Sequence, residues 1–198
     1  MTINSSNRQQ DFYNLSRLIK GTVNLAYDIE LMSMNALIGN KDSGTHSGFS
    51  AVAFELSAFS INVLEQANNL SSQFSEIIYL VSLESNLNRR SRILIKTIAS
   101  GTLAKQYILP ASFEVQALLK LSSQNYRILI NKVNRQIQRL EQLIFIGKGL
   151  SGVGKIEARY LGNIGATLFQ IAEEVERIIR SISIVIQEIK AKLQVHST

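Results

Sequence analysis

Apolar residues recur along this chain at alternating spacings of three and four. Leu25, Ile29, Met32 and Ala36 keep that spacing up to a polar break, and Phe49, Val52, Leu56, Phe59 and Val63 resume it beyond. The spacing averages about 3.5 residues, the period of a coiled-coil seam. The break, about residues 39–48, gathers Gly39, Gly44 and Gly48 among small polar residues. Glycine and small polar residues between two such seams predict a tight turn between antiparallel helices.

The same reading divides the rest of the chain. A first helix is predicted over 8–43, with Leu15, Leu18, Leu25, Ile29 and Met32 on its seam and Thr22 as a polar interruption. A second is predicted over 49–88; its seam continues through Leu70, Phe74, Ile77 and Val81, with Gln66 where an apolar residue is expected. A lone polar seam residue more often sets register than chemistry. Residues 1–88 then form a first hairpin and 112–198 a second, joined by a basic connector over 89–111. Pro110 pushes the residue before it out of the helical region, so Leu109 is expected to end or kink what precedes it. Ser112 is a plausible new helix start.

The third helix, 112–160, has Tyr126, Ile130, Val133, Ile137, Leu140 and Ile144 on its seam. Its register is then expected to slip toward Ile146, Leu150, Val153 and Ile156, where Gly147, Gly149, Gly152 and Gly154 crowd together. Each helical glycine costs about 1 kcal/mol relative to alanine, so so many must permit close helix approach or mark a bend. A second turn is predicted at about 161–166. The fourth helix, 166–194, carries the cleanest seam: Leu168, Ile171, Val175, Ile178, Ile182, Val185 and Ile189.

The two hairpins repeat each other. Ile38 pairs with Ile156 and Gly44 with Gly162 at an offset of 118; past the turns, Ala53 pairs with Ala172 and Glu55 with Glu174 at 119. A near-constant offset broken once, inside a turn, is itself structural evidence. The fold expected is all-α: a long antiparallel four-helix bundle or coiled coil, built from two tandem hairpins in a pseudo-dimer with both turns at one end.

The turn regions resemble the hairpin tip of bacterial chemoreceptors, the methyl-accepting chemotaxis proteins. Leu31, Met32, Met34, Asn35, Ala36 and Ile38 fall on that family's LLxLNAxI stretch. Gly44 falls on its turn glycine, and Gly48, Phe49, Val52, Ala53, Glu55 and Leu56 on GFxxVAxEV. In the second repeat, Ile156, Glu157 and Ala158 fall on IEA and Gly162 and Gly165 on the turn glycines. Ala172, Glu173, Glu174 and Val175 fall on the AxEV segment, and Leu168 on the tip phenylalanine. Gly39 stands where the family has glutamate and Asp42 where it has arginine, and the first turn is one residue shorter. The resemblance implies a receptor-like signalling scaffold, not an enzyme, that engages a CheW-like adaptor and a CheA-like histidine kinase, and other receptors; the alternatives are a helical interaction module unrelated to chemotaxis or a basic nucleic-acid-binding helical protein. By position, Val153, Ile156 and Glu157 are candidates for adaptor contact, and Phe49 and Leu168 for contact between receptors.

Charge changes this picture in one region. Residues 89–159 hold thirteen Lys or Arg and three acids, a net of +10, while the remainder carries −4. That asymmetry suggests either a solvated outer face or a surface for an acidic partner. Nucleic acid is not the expected partner, because the basic residues are not interleaved with aromatics suited to base stacking. The Arg89–Lys96 segment is short and has no bulky aromatic anchor for a membrane-surface helix. The absence of cysteine excludes disulfides and thiolate metal sites. The start has no apolar signal core, and no apolar run reaches the roughly 18–20 residues that span a bilayer, so a cytoplasmic location is expected.

Two further patterns bear on chemistry. Residues 149–155, GLSGVGK, fit the phosphate-binding pattern G-x-x-x-x-G-K. The following residue is Ile156 rather than the serine or threonine that binds magnesium, and the surroundings read as helix. His46 and His196, the two histidines, have no carboxylate cluster at ligand spacing. No cofactor or metal is expected.

Overall fold

The computed structural model describes residues 5–41, 48–100 and 105–196, apart from a few side chains at helix ends. These residues form four helices: α1 (Ser5–Lys41), α2 (Gly48–Ala99), α3 (Lys105–Ala158) and α4 (Gly162–His196). The architecture is all-α, two tandem helical hairpins, and no described helix is long and apolar enough to cross a membrane.

The connector is much shorter than the sequence suggests. Helix α2 runs on to Ala99 instead of stopping near 88, and ends where the Ser100 amide donates to the Lys96 carbonyl at 3.1 Å. Nothing between 89 and 99 breaks a helix. Helix α3 begins at Lys105, so Pro110 lies inside it. A helical proline removes one amide donor and crowds the carbonyl four residues earlier. That carbonyl belongs to Gln106, and both Gln106 and Pro110 are exposed, so water can satisfy what the ring displaces.

The chain divides into two compact units that cut across the helices: the stretches up to 15 and 72–133, and the stretches 16–71 and 134 onward. In the first unit, Phe12 and Phe74 are fully buried with ring centroids 6.4 Å apart, and Tyr126 meets Phe12 edge-on at 6.2 Å. Arg8 stacks over the Tyr126 ring at 4.2 Å and pairs with Glu84 at 3.5 Å.

In the second unit all four helices pack antiparallel to their neighbours. Glu30 of α1 accepts from the hydroxyls of Ser57, at 2.9 Å, and Ser60 of α2. Between α3 and α4, Glu141 holds Lys190 at 2.7 Å, and Lys155 pairs with Glu176. Helices α2 and α3 approach closely: a Cβ on Gly147 would lie 2.6 Å from the Phe59 ring, and one on Gly154 3.3 Å from Val52.

The α3 register does not slip. Its buried positions run from Leu140 and Ile144 through Gly147, Ser151 and Gly154 to Ala158 without a break. Ile146, Val153 and Ile156 are exposed and Leu150 is only half-buried. Helix α1 shows a related correction: Ile19, Ala26 and Ser33 are fully buried, while Leu18, Leu25 and Met32 flank them half-buried. Toward the hairpin ends of both helices small residues take the centre, and on α3 the side chains of Phe59, Val52 and Phe49 fill the space against Gly147 and Gly154.

Candidate interaction surface at the paired hairpin ends

The two hairpin ends share one core. Ala36 from the end of α1, Phe49 and Ala53 from the start of α2, Ala158 from the end of α3 and Leu168 from the start of α4 form a single buried cluster. Leu37, Leu161, Phe169 and Ile171 pack around it. Phe49 and Leu168 are 0% and 1% exposed. The side chains expected to face other receptors are therefore enclosed in this chain's own core, which leaves them no surface for a partner.

The second turn is tighter and earlier than predicted. Three successive amides, of Arg159, Tyr160 and Leu161, donate to the carbonyls three residues back at 3.1–3.2 Å. These bonds wind the last turn of α3 down and satisfy its terminal carbonyls. Gly162 then takes φ +57°, the left-handed conformation that favours glycine, and opens α4. Gly165 is not part of the turn. It lies in α4, where a Cβ would collide with the Ala158 carbonyl oxygen. Gly48 opens α2, and a Cβ there would strike the Glu157 carboxylate of α3. Gly44 and His46 lie outside the described residues, and so does the side chain of His196.

Outside this core, several large apolar side chains of α1 and α3 face outward. On α1, Leu31, Met34 and Ile38 are 59%, 50% and 64% exposed. On α3, Ile146, Val153 and Ile156 are exposed to a similar degree, and Tyr160 in the turn more so. Ile38 and Ile156 are equivalents in the repeat, so both hairpins turn the same position to the surface. Gly149 and Gly152 have open space where a Cβ would be, which leaves the outer face of α3 low between Phe145 and Val153. Exposed apolar groups in contiguous runs mark interaction surfaces more often than scattered single ones do.

Charged groups frame this surface. Glu176 of α4 accepts from Lys155 and lies 2.9 Å from Arg180, and the Lys155 contact above all holds its carboxyl below the usual glutamate range. Arg177 does the same to the exposed Glu174. Arg159, in the turn, lies over the Phe169 ring at 5.7 Å. Glu157 is half-buried beside the start of α2.

Nucleotide chemistry finds no support in this geometry. Residues 149–155 are continuous α-helix, so their amides are committed to helical hydrogen bonds and cannot cradle a phosphate. Lys155 is engaged with Glu176. Among the described residues no group of three metal-ligating side chains comes together.

The class defined here is an all-helical double hairpin with joined ends and an outward apolar collar. No family model, characterised protein or solved structure matches this chain.

Proposed function

We propose that this is a receptor-like signalling scaffold that engages a CheW-like adaptor and a CheA-like histidine kinase through its paired hairpin ends. The observation that carries the reading is the shared core of Ala36, Phe49, Ala53, Ala158 and Leu168. One polypeptide there joins two repeat-related ends, the arrangement that two receptor subunits otherwise supply. The contact surface in this reading is Val153 and Ile156 on α3, with Glu157 at its edge. Exposed aliphatic anchors beside charged groups suit docking against an apolar groove with a polar rim. The role is non-enzymatic and belongs in the cytoplasm.

The test is capture of the adaptor and kinase from the same organism on the immobilised chain. Wild type retains both, and Ile156→Glu or Glu157→Lys reduces retention at least about tenfold, which is about 1.4 kcal/mol of binding. Failure of wild type to retain either protein, or retention unaffected by both substitutions, overturns the proposal.

A further inference from the structure

The first compact unit contains a surface that the hairpin ends do not explain. Helix α2 beyond Leu87 and helix α3 before Ser112 bury almost nothing. Only a thin half-buried seam remains, made by Leu94 and Ile98 on α2 and Ile108 on α3. The other faces of this part of the hairpin are exposed.

Those faces combine two properties. Residues 88–121 hold six Lys or Arg and one acid, Glu114. None of the six bases pairs with a carboxylate among the described residues. Arg89, Arg92, Ile93 and Lys96 share one face of α2, at spacings of three, four and seven. Large apolar side chains also stand exposed in this part of the chain: Ile93, on that basic face, at 55%, and Tyr107 and Phe113 on α3 at 76% and 67%.

We propose that the end of α2 and the start of α3, residues 88–100 and 105–121, dock onto an anionic lipid surface. Basic side chains meet the phosphate headgroups, while Tyr107, Phe113 and Ile93 enter the boundary between headgroups and acyl chains. An isolated Arg89–Lys96 helix lacks an aromatic anchor. The antiparallel start of α3 brings Tyr107 and Phe113 to the same short hairpin and supplies it. Tyrosine suits this depth, with an apolar ring and a hydroxyl that stays wet. Long basic side chains lay apolar stems along the lipid and keep their charges at the surface. The hairpin lies on the bilayer, since no described helix is long and apolar enough to cross it. A nucleic acid would also draw the bases, but it gives the exposed Ile93 beside them nothing to bury against.

The chain has no tryptophan, so Tyr107→Trp is a single reporter. Vesicles of phosphatidylcholine with about 30% phosphatidylglycerol shift its emission to the blue, and pure phosphatidylcholine vesicles do not. In co-sedimentation, the full chain partitions to the anionic vesicles. The triple variant Arg89→Glu/Arg92→Glu/Lys96→Glu lowers partitioning at least about tenfold, and Tyr107→Ser/Phe113→Ser lowers it several-fold. Far-UV circular dichroism confirms that each variant keeps its helices, and the tryptophan reporter stands independently if one does not. The proposal is overturned by an absent blue shift, by equal binding to uncharged vesicles, or by a Tyr107→Ser/Phe113→Ser variant that binds like the parent. Duplex DNA binding that depends on the bases but not on Tyr107 and Phe113 also overturns it. These readouts contain neither adaptor nor kinase, so they stand or fall apart from the role proposed for the hairpin ends.

Discussion

Ser33 and Ser151 stand 118 residues apart in the chain and occupy equivalent places in the fold. Both are fully buried, and each turns its hydroxyl back on its own helix: Ser33 Oγ donates to the Ile29 carbonyl at 2.8 Å and Ser151 Oγ to the Lys148 carbonyl at 3.0 Å. The hydroxyls are satisfied locally, so what the fold requires at these sites is small volume. Ser33→Ala and Ser151→Ala should each change stability by less than about 0.5 kcal/mol, since the lost bond is local and both partners sit on one helix. Ser33→Leu and Ser151→Leu force extra methylenes into fully buried sites and should cost about 1–3 kcal/mol each. Urea midpoints of the four variants check this.

The glycines separate in the same way. Gly165→Ala sets a methyl against the Ala158 carbonyl oxygen, and Gly162→Ala forces a side chain into φ +57°. Each should destabilise by about 1–2 kcal/mol. Gly149 has open space on an exposed helix face, so Gly149→Ala should stabilise by about 0.5–1 kcal/mol. Thermal midpoints moving in opposite directions for Gly165→Ala and Gly149→Ala test both assignments.

How much of this was legible in the sequence depends on residue size. Where the seam is large and apolar, spacing alone identified it: Phe49, Val52, Leu56, Phe59, Val63, Leu70, Phe74, Ile77 and Val81 are all buried. Near the hairpin ends the seam passes to Ala26, Ser33, Gly147, Ser151 and Gly154, and the bulky side chains lie outside it. A reading that weights hydrophobic bulk follows Ile146, Val153 and Ile156 to the surface. The signal that could have corrected it was present: adding the repeat offset to Ser33 and Ala36 gives Ser151 and Gly154. Pro110 misled for a different reason, because its displaced carbonyl is exposed to water. Spacing alone puts the second turn too late because Gly165 looks like a turn glycine, whereas its role is close approach between α3 and α4. The basic residues 89–96 can be counted from sequence, but that α2 runs on to Ala99 and α3 starts as early as Lys105 cannot, because Pro110 reads as a break.

Tyr126 offers a test at high pH. Its Oη is buried without a hydrogen-bond partner among the described residues, while Arg8 stacks over the ring. Burial pushes the hydroxyl pKa above its ordinary 10.0, and the Arg8 charge offsets only part of that. A raised folded-state pKa means that its contribution is full below about pH 10 and is lost as pH rises through the folded value. Tyr126→Phe should remove that alkaline loss. At neutral pH it should be neutral or stabilising by up to about 1 kcal/mol, because an unpaired buried hydroxyl is removed and the ring contacts with Phe12 remain. Denaturation midpoints of both chains at pH 7 and above pH 10 measure it.

Glu176 makes the opposite prediction in acid. Lys155 first, and Arg180 after it, hold its carboxyl below the ordinary 4.5. A depressed folded-state pKa contributes stability above about pH 4.5 that is lost as pH falls through the folded value. With both partners about a quarter exposed, the Lys155 pair should contribute no more than about 1 kcal/mol. Glu176→Gln should therefore lower the thermal midpoint at pH 7 and flatten its acid dependence below pH 4.5. A variant that keeps the full acid slope would place that proton uptake on another group.

The outward collar and the enclosed core should respond differently to the same kind of substitution. Ile156 is 55% exposed and Leu168 is 1% exposed, yet both belong to the hairpin ends and both were candidates for partner contact. Leu168→Ala opens a void beside Phe49 and Ala53 and should cost about 2–5 kcal/mol. Ile156→Ala removes a side chain that its own fold barely uses and should stay within about 0.5 kcal/mol. If the collar is the binding surface, Ile156→Ala loses partner affinity at unchanged melting temperature. Leu168→Ala, assayed well below its lowered melting temperature, keeps that affinity. The reverse pattern, with Leu168→Ala losing affinity while folded and Ile156→Ala retaining it, would require the ends to open before they bind.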